Sequence, residues 1–238
     1  RTDFNADIGD WDVSNVTNMY NMFGGAYSFD QPIGDWNVSS VSNMRFMFRV
    51  ALEFNQDIGD WDVSNVTDMS AMFIGAFSFN GDISSWDVSN VTDMGAMFED
   101  ASSFNGDLSS WDVSSVINMR WMFDNASNFN GDLSLWDVSS VLEMQSMFNL
   151  ATSFNQDLGD WDVSNVTAMY YMFNGSGLNT CNYDNTIKGW STLDLTPSVI
   201  LDANGQTYCD SETERQSIID NFGWTIEDGG LSCTDECL

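Results

Sequence analysis

The stretch Trp61-Asp62-Val63-Ser64-Asn65-Val66-Thr67-Asp68-Met69, followed by Met72-Phe73, decides the fold because the chain writes it seven times. The tryptophans fall at Trp11, Trp36, Trp61, Trp86, Trp111, Trp136 and Trp161, 25 residues apart with no insertion or deletion. A fixed period of this size, with apolar residues locked in phase, predicts a repeat solenoid whose copies bury their faces against each other. All 14 methionines lie in the repeats, at two fixed places per copy, and seven of the ten tryptophans lie at a third. Methionine adapts to irregular gaps, so a core that stacks it repeatedly fits without perfect complementarity.

Within one copy, residues 54–78, Ile58, Trp61 and Val63 give a short apolar, β-prone segment. Val66, Met69, Met72, Phe73 and Ala76 then recur at i, i+3, i+6, i+7 and i+10, which predicts one face of a short helix. Serine follows the strand in every copy (Ser14, Ser39, Ser64, Ser89, Ser114, Ser139, Ser164) and is placed to cap or turn the chain. The expected architecture is therefore leucine-rich-repeat-like, with short parallel strands on one face and short helices on the other. The first copy is already in register at Phe4, Asn5, Asp7 and Ile8, so the sequence starts inside an incomplete repeat with no capping segment or signal peptide ahead of it. A missing upstream portion, processing, or another chain covering that end are the three expected explanations.

After Phe173 the pattern breaks at Gly175-Ser176-Gly177. Residues 1–175 are thus read as seven solenoid repeats and 176–238 as a small α+β cap. In the cap, 182–191 reads as a helix, Val199-Ile200-Leu201 as a strand and Asn204-Gly205 as a turn. Ser211 and Glu214 have the capping-box spacing of a helix running to about Phe222, and Trp224-Thr225-Ile226 reads as a last strand. The four cysteines, Cys181, Cys209, Cys233 and Cys237, all lie in this segment, which points to two disulfides and an oxidising compartment. Three pairings are open; the short loop between Cys233 and Cys237 favours Cys181–Cys209 with Cys233–Cys237. Zinc is disfavoured because the chain has no histidine.

The columns Val-Ser-Asn-Val-Thr-Asp-Met and Met-Phe-x-x-Ala-x-x-Phe-Asn, over residues 4–174, closely resemble a bacterial surface-protein repeat of about 25 residues related to BspA-type leucine-rich repeats. The tail, with Tyr183-Asp184, Gly189-Trp190, Thr207-Tyr208-Cys209 and Gly223-Trp224-Thr225-Ile226, looks like the segment that follows such repeats in some secreted bacterial proteins. The resemblance implies a secreted or surface-displayed protein, adhesive or of unknown role, and brings no catalytic residues.

With 36 acidic against 6 basic residues, a formal charge of −30, the surface repels nucleic acid and anionic lipid. No apolar run is long enough to span a bilayer. The acidic columns containing Asp57, Asp82 and Asp107, and Asp62, Asp87 and Asp112, are candidate calcium ligands. In the second copy, however, their places are taken by Pro32 and Asn37, which share with aspartate only turn-forming ability, so a backbone-bonding role is the preferred reading. Without histidine there is no Ser-His-Asp or Cys-His arrangement, and no cofactor and no enzymatic activity are expected. An ice-binding array is disfavoured because Ile117 and Leu142 interrupt its threonine column.

What varies between copies carries the functional signal. The two positions between the methionines are expected to face outward, and they read Tyr20-Asn21, Arg45-Phe46, Ser70-Ala71, Gly95-Ala96, Arg120-Trp121, Gln145-Ser146 and Tyr170-Tyr171. With Tyr27, Arg49 and Phe77 nearby, these supply aromatic and arginine side chains of the kind enriched at interfaces. The expected function is a non-catalytic extracellular module that binds protein or glycan on another cell or in the matrix. The alternatives are a structural subunit that stacks on copies of itself through its open N-terminal end, and a calcium-stabilised surface module.

Overall fold

The computed structural model describes residues 2–233. The seven repeats stack in parallel, each displaced by one 25-residue step. Single parallel bridges run Asn18 to Asn43, Asp68, Asp93, Asn118, Glu143 and Ala168. This ladder lies seven residues beyond each tryptophan, not at the expected Ile58-Trp61-Val63 strand. The expected short helices are absent as well: no helix occurs in residues 2–179.

The reason is a period of three rather than 3.6. Trp61 N–H donates to Ile58 O, Val66 to Val63, Met72 to Met69, Ala76 to Phe73 and Phe79 to Ala76. Every one of these residues is apolar and buried, so the repeat is a succession of tight turns closed by inward-facing side chains. Between the turns, alternate N–H groups point along the stack. Met69, Ala71, Phe73 and Gly75 donate to the carbonyls of Asp93, Gly95, Met97 and Glu99 in the next repeat. A helix would consume those N–H groups within its own segment, leaving none to join one repeat to the next. The ribbon needs left-handed residues at Ala71 and Gly75 and at their equivalents, including Phe46, Val50, Ala96, Trp121, Leu150 and Tyr171.

Inside the stack, side chains form continuous columns. The indoles of Trp61, Trp86 and Trp111 lie parallel with centroids 6.4 Å apart. Each indole N–H also donates to the isoleucine or leucine carbonyl of the preceding repeat, as Trp111 does to Ile83 at 3.1 Å. That carbonyl already closes its own turn by accepting from the N–H of Trp86, so one oxygen joins the turn to the stack. Two phenylalanine columns run alongside, with rings 3.9 Å apart within a repeat, as Phe73 on Phe79, and 5.7 Å apart between repeats, as Phe73 on Phe98. An asparagine ladder, invisible to the pattern reading, runs down another edge. The side-chain oxygens of Asn5, Asp30, Asn55, Asn80, Asn105 and Asn130 each accept the backbone N–H one repeat later.

Beyond the seventh repeat the chain continues each ladder in new elements. Helix α1 (Thr180–Trp190) is capped by the Asn179 side chain, and the Asn179 N–H takes the next rung of the asparagine ladder on Asn155. Trp190 at its end takes the next place in the tryptophan column, donating to Leu158 O. Strand β1 (Ile200–Ala203) extends the bridge ladder from Met169 and pairs in parallel with β2 (Thr225–Asp228). Helix α2 (Glu212–Phe222) packs on α1, with Gly223 in the left-handed conformation at its C-cap. The Ser211–Glu214 capping box does not form. Ser211 instead donates, through N–H and hydroxyl, to the buried carboxylate of Asp184 in α1, which also accepts from the N–H groups of Cys209 and Asp210. Four residues beyond Ser211, Arg215 pairs with Asp228 at 2.7 Å, and the Tyr183 hydroxyl donates to the same carboxylate.

The disulfide expectation is corrected. Cys209 is joined to Cys233, so neither Cys181–Cys209 nor Cys233–Cys237 exists. The two residues are brought together because Tyr208, next to Cys209, bridges in parallel with Leu231, two residues before Cys233. Cys181 is itself disulfide-bonded, and Cys237 lies outside the described residues.

Two predictions test this account. Trp111→Phe removes an indole rung and opens a gap in mid-stack, and should lower stability by about 2–3 kcal/mol in a denaturant titration; a neutral result would show that the column contributes only bulk. Val50, a β-branched residue at φ 55°, occupies a site where three other repeats carry glycine. Val50→Gly should stabilise by about 0.5–1 kcal/mol because relief of left-handed strain exceeds the added chain entropy. Destabilisation would mean that its contacts with Gly75 outweigh the strain.

Candidate functional site

The two variable positions between the methionines sit on the turn ribbon, the second always left-handed. Contrary to expectation they do not all face solvent. Ser70, Ala71, Gly95, Ala96, Gln145 and Ser146 are buried, whereas Tyr20, Arg45, Trp121, Tyr170 and Tyr171 are exposed and Phe46 and Arg120 are half-buried. Large side chains therefore stand as walls at repeats two and five, and small ones form a floor at repeats three and four. The result is a cleft of about 200 Å³ lined by Arg45 and Phe46 on one side and by Arg120 and Trp121 on the other. Three repeat steps, about 14 Å of backbone at ordinary strand spacing, separate the two walls.

Each wall is an arginine stacked on an aromatic ring. The Arg45 guanidinium lies 4.8 Å from the Phe46 centroid, and that of Arg120 lies 5.1 Å from Trp121. Tyr20 backs Phe46 edge-on at 5.8 Å. Arg120 also makes a long, exposed ion pair with Glu143 at 3.6 Å, worth little in solvent. Among the described residues no carboxylate lies within ion-pair distance of Arg45.

The floor presents side chains but almost no spare backbone. The N–H groups of Ser70 and Gly95 are taken by the Asp68 and Asp93 carboxylates of their own turns. Those of Ala71 and Ala96 go to Gly95 O and Arg120 O. The carbonyls of Ser70, Ala71, Gly95 and Ala96 accept from Phe46, Ile74, Ala71 and Glu99. A peptide strand could not add itself here by main-chain pairing, so an occupant has to be recognised by rings and side-chain polar groups.

Glu99, which the sequence reading overlooked, lines this floor. Burial pushes its carboxyl up to about 7, and the neighbouring charges of Asp124 and Asp100 push the same way. Asp124 is raised too, by burial, although an amide hydrogen bond from Asn149 opposes the shift. Asn118 also lines the cleft, with its amide donating to Asp93 at 2.9 Å. A sharper reading of the variable pairs could have found the site: two small pairs, Ser70-Ala71 and Gly95-Ala96, sit between two arginine–aromatic pairs.

The remaining candidates lie elsewhere. Arg49, Tyr27, Phe77, Tyr170 and Tyr171 do not line the cleft; Tyr170 and Tyr171 pack edge-to-face two repeats beyond Trp121, at 6.0 Å. The acidic columns bond their own turns. Asp57 and Asp82 accept the N–H two residues on; Asp62, Asp87, Asp107 and Asp112 accept both the N–H and the hydroxyl of the following serine. Those serine hydrogen bonds hold Asp62, Asp82, Asp107 and Asp112 below the usual carboxylate range. Among the described residues, no three carboxylate, cysteine or histidine side chains are grouped to hold a metal ion.

No curated protein and no solved structure matches the chain. One family model does, over residues 1–111, 53–149 and 102–199, and the three overlapping matches are what a 25-residue repeat produces against a longer template. The match names a bacterial repeat family; it carries neither the leucine-rich-repeat kinship nor the secreted type of C-terminal segment. On this match, spread over most of its length, the chain belongs to the family described as Mycoplasma protein of unknown function, DUF285.

Proposed function

We propose that the protein is a non-catalytic, extracellular binding module, a solenoid whose cleft between repeats two and five holds a sugar ring of a glycan. The observation that carries this reading is the pairing of two aromatic walls, Phe46 and Trp121, across a floor of small residues whose backbone is already hydrogen-bonded. Aromatic faces take up the C–H faces of a pyranose by dispersion and polarised C–H contacts, while side chains such as Ser70 and Asn118 meet its hydroxyls. The parallel repeat-on-repeat register supports the solenoid reading. Disulfide-bonded Cys181, Cys209 and Cys233 support an oxidising, extracellular setting, consistent with surface adhesion. No helix among the described residues is long and apolar enough to cross a membrane.

The double variant Phe46→Ala, Trp121→Ala tests the reading. Repeats three and four carry alanine at the equivalent left-handed positions, Ala71 and Ala96, so the backbone accepts it without new strain. Saturation-transfer NMR with a panel of methyl hexosides and methyl hexuronides should show binding by the native protein and at least about a tenfold loss in the variant, in line with loss of two stacking contacts. The melting temperature should be unchanged. Equal loss of stability, or binding that survives the double substitution, would remove the cleft from consideration.

A further inference from the structure

We infer that the cleft prefers a sugar ring that carries a carboxylate, with the Arg45 guanidinium as the anchor for that group. This deepens the glycan reading and rests on it. Three of the six basic residues of a chain with formal charge −30 lie on this face, Arg45, Arg49 and Arg120, and two of them form the cleft walls. Arg120 shares its charge with Glu143, whereas among the described residues no carboxylate lies within ion-pair distance of Arg45. The Arg45 guanidinium lies over the Phe46 ring, and its planar fork of N–H donors matches a carboxylate bidentately. The aspartate columns sit in turns on either side of each tryptophan and bond their own backbone. At physiological salt their field is screened beyond about 8 Å, so the cleft's own groups decide what enters.

Glu99 then becomes the discriminating group. The charges that act on it are those of Asp124 and Asp100, and Asp93, Arg45 and Arg120 line the same cleft. Ionised, it opposes an entering carboxylate; protonated, it becomes a hydroxyl donor to the ring. Because its carboxyl titrates at about 7, an acidic sugar enters with uptake of a proton on Glu99, and binding strengthens as pH falls through neutrality. A hexuronate stays ionised over that range, so the ligand's own titration does not supply the trend.

The test uses the full chain and two probes, methyl β-D-glucuronide and methyl β-D-glucoside, titrated by NMR at about pH 5.5 and about pH 8, either side of the Glu99 transition. The glucuronide should bind more tightly than the glucoside. Its affinity should rise by about threefold or more on going to the lower pH, as linkage requires for one coupled proton, while that of the glucoside stays flat. Arg45→Gln should remove the preference for the acid, bringing the glucuronide-to-glucoside affinity ratio down to about one, as loss of a bidentate carboxylate partner requires. Glu99→Gln should fix glucuronide binding at its low-pH strength. Equal binding of the two sugars by the native protein would overturn the inference and leave the glycan cleft standing; binding of neither would overturn both. A preference for the acid that ignores pH and survives Glu99→Gln would remove the part assigned to Glu99.

Discussion

A backbone that turns every three residues strands half of its N–H groups outside the turns, and here the neighbouring repeat is what receives them. That requirement governs the rest of the molecule. The donor at Ala71 meets Gly95 O, and the donor at Phe73 meets Met97 O, only if the two repeats are displaced by one step and no residue is added or lost. An insertion within a repeat would put its later rungs out of step with both neighbouring repeats, orphaning buried polar groups at about 1–3 kcal/mol each. The unbroken 25-residue spacing of the tryptophans is the sequence consequence. The same requirement explains the segment after residue 176, where unrelated secondary structure supplies Asn179, Trp190 and β1 as the next rungs of three ladders.

The parallel, in-register stack was legible because burial and periodicity act on side-chain type, which a sequence states directly. The path of the chain within a repeat was not. Val66, Met69, Met72, Phe73 and Ala76 satisfy a helical face and a run of three-residue turns equally well. The two differ in where N–H groups point, and apolar identity says nothing about that. The asparagine ladder was hidden for a related reason, since asparagine at Asn80 and Asn105 also reads as an ordinary turn residue. The cysteine pairing failed because sequence proximity stood in for spatial proximity, while the bridge between Tyr208 and Leu231 set the actual neighbours.

The site was half legible. Arg45, Phe46, Arg120 and Trp121 were singled out, and the stack does bring them to one cleft. Burial of Ser70 and Ala71 was missed because a residue between two core methionines was assigned to solvent by a helical geometry the chain does not adopt. Glu99 was missed because its significance is electrostatic. It is one acid among 36, and only its half-buried place beside Asp100 and Asp124 separates it from the rest.

The left-handed position in the ribbon bears on where variation is tolerated. Glycine or asparagine would satisfy its backbone most cheaply, and repeat one carries Asn21 there. Repeats two, five and seven instead carry Phe46, Trp121 and Tyr171, each at φ between 57° and 59°. Any side chain with a Cβ, alanine included, costs about 1–2 kcal/mol in that conformation, and the core does not need a ring there, since Ala71 and Ala96 occupy the same position with their columns intact. A ring kept where alanine serves the stack equally well is better accounted for by what it does outside the molecule than by what it does within. Because the fold fixes the direction in which that residue projects, choosing alanine or an aromatic ring repeat by repeat sets where a wall stands and how wide the gap beside it is.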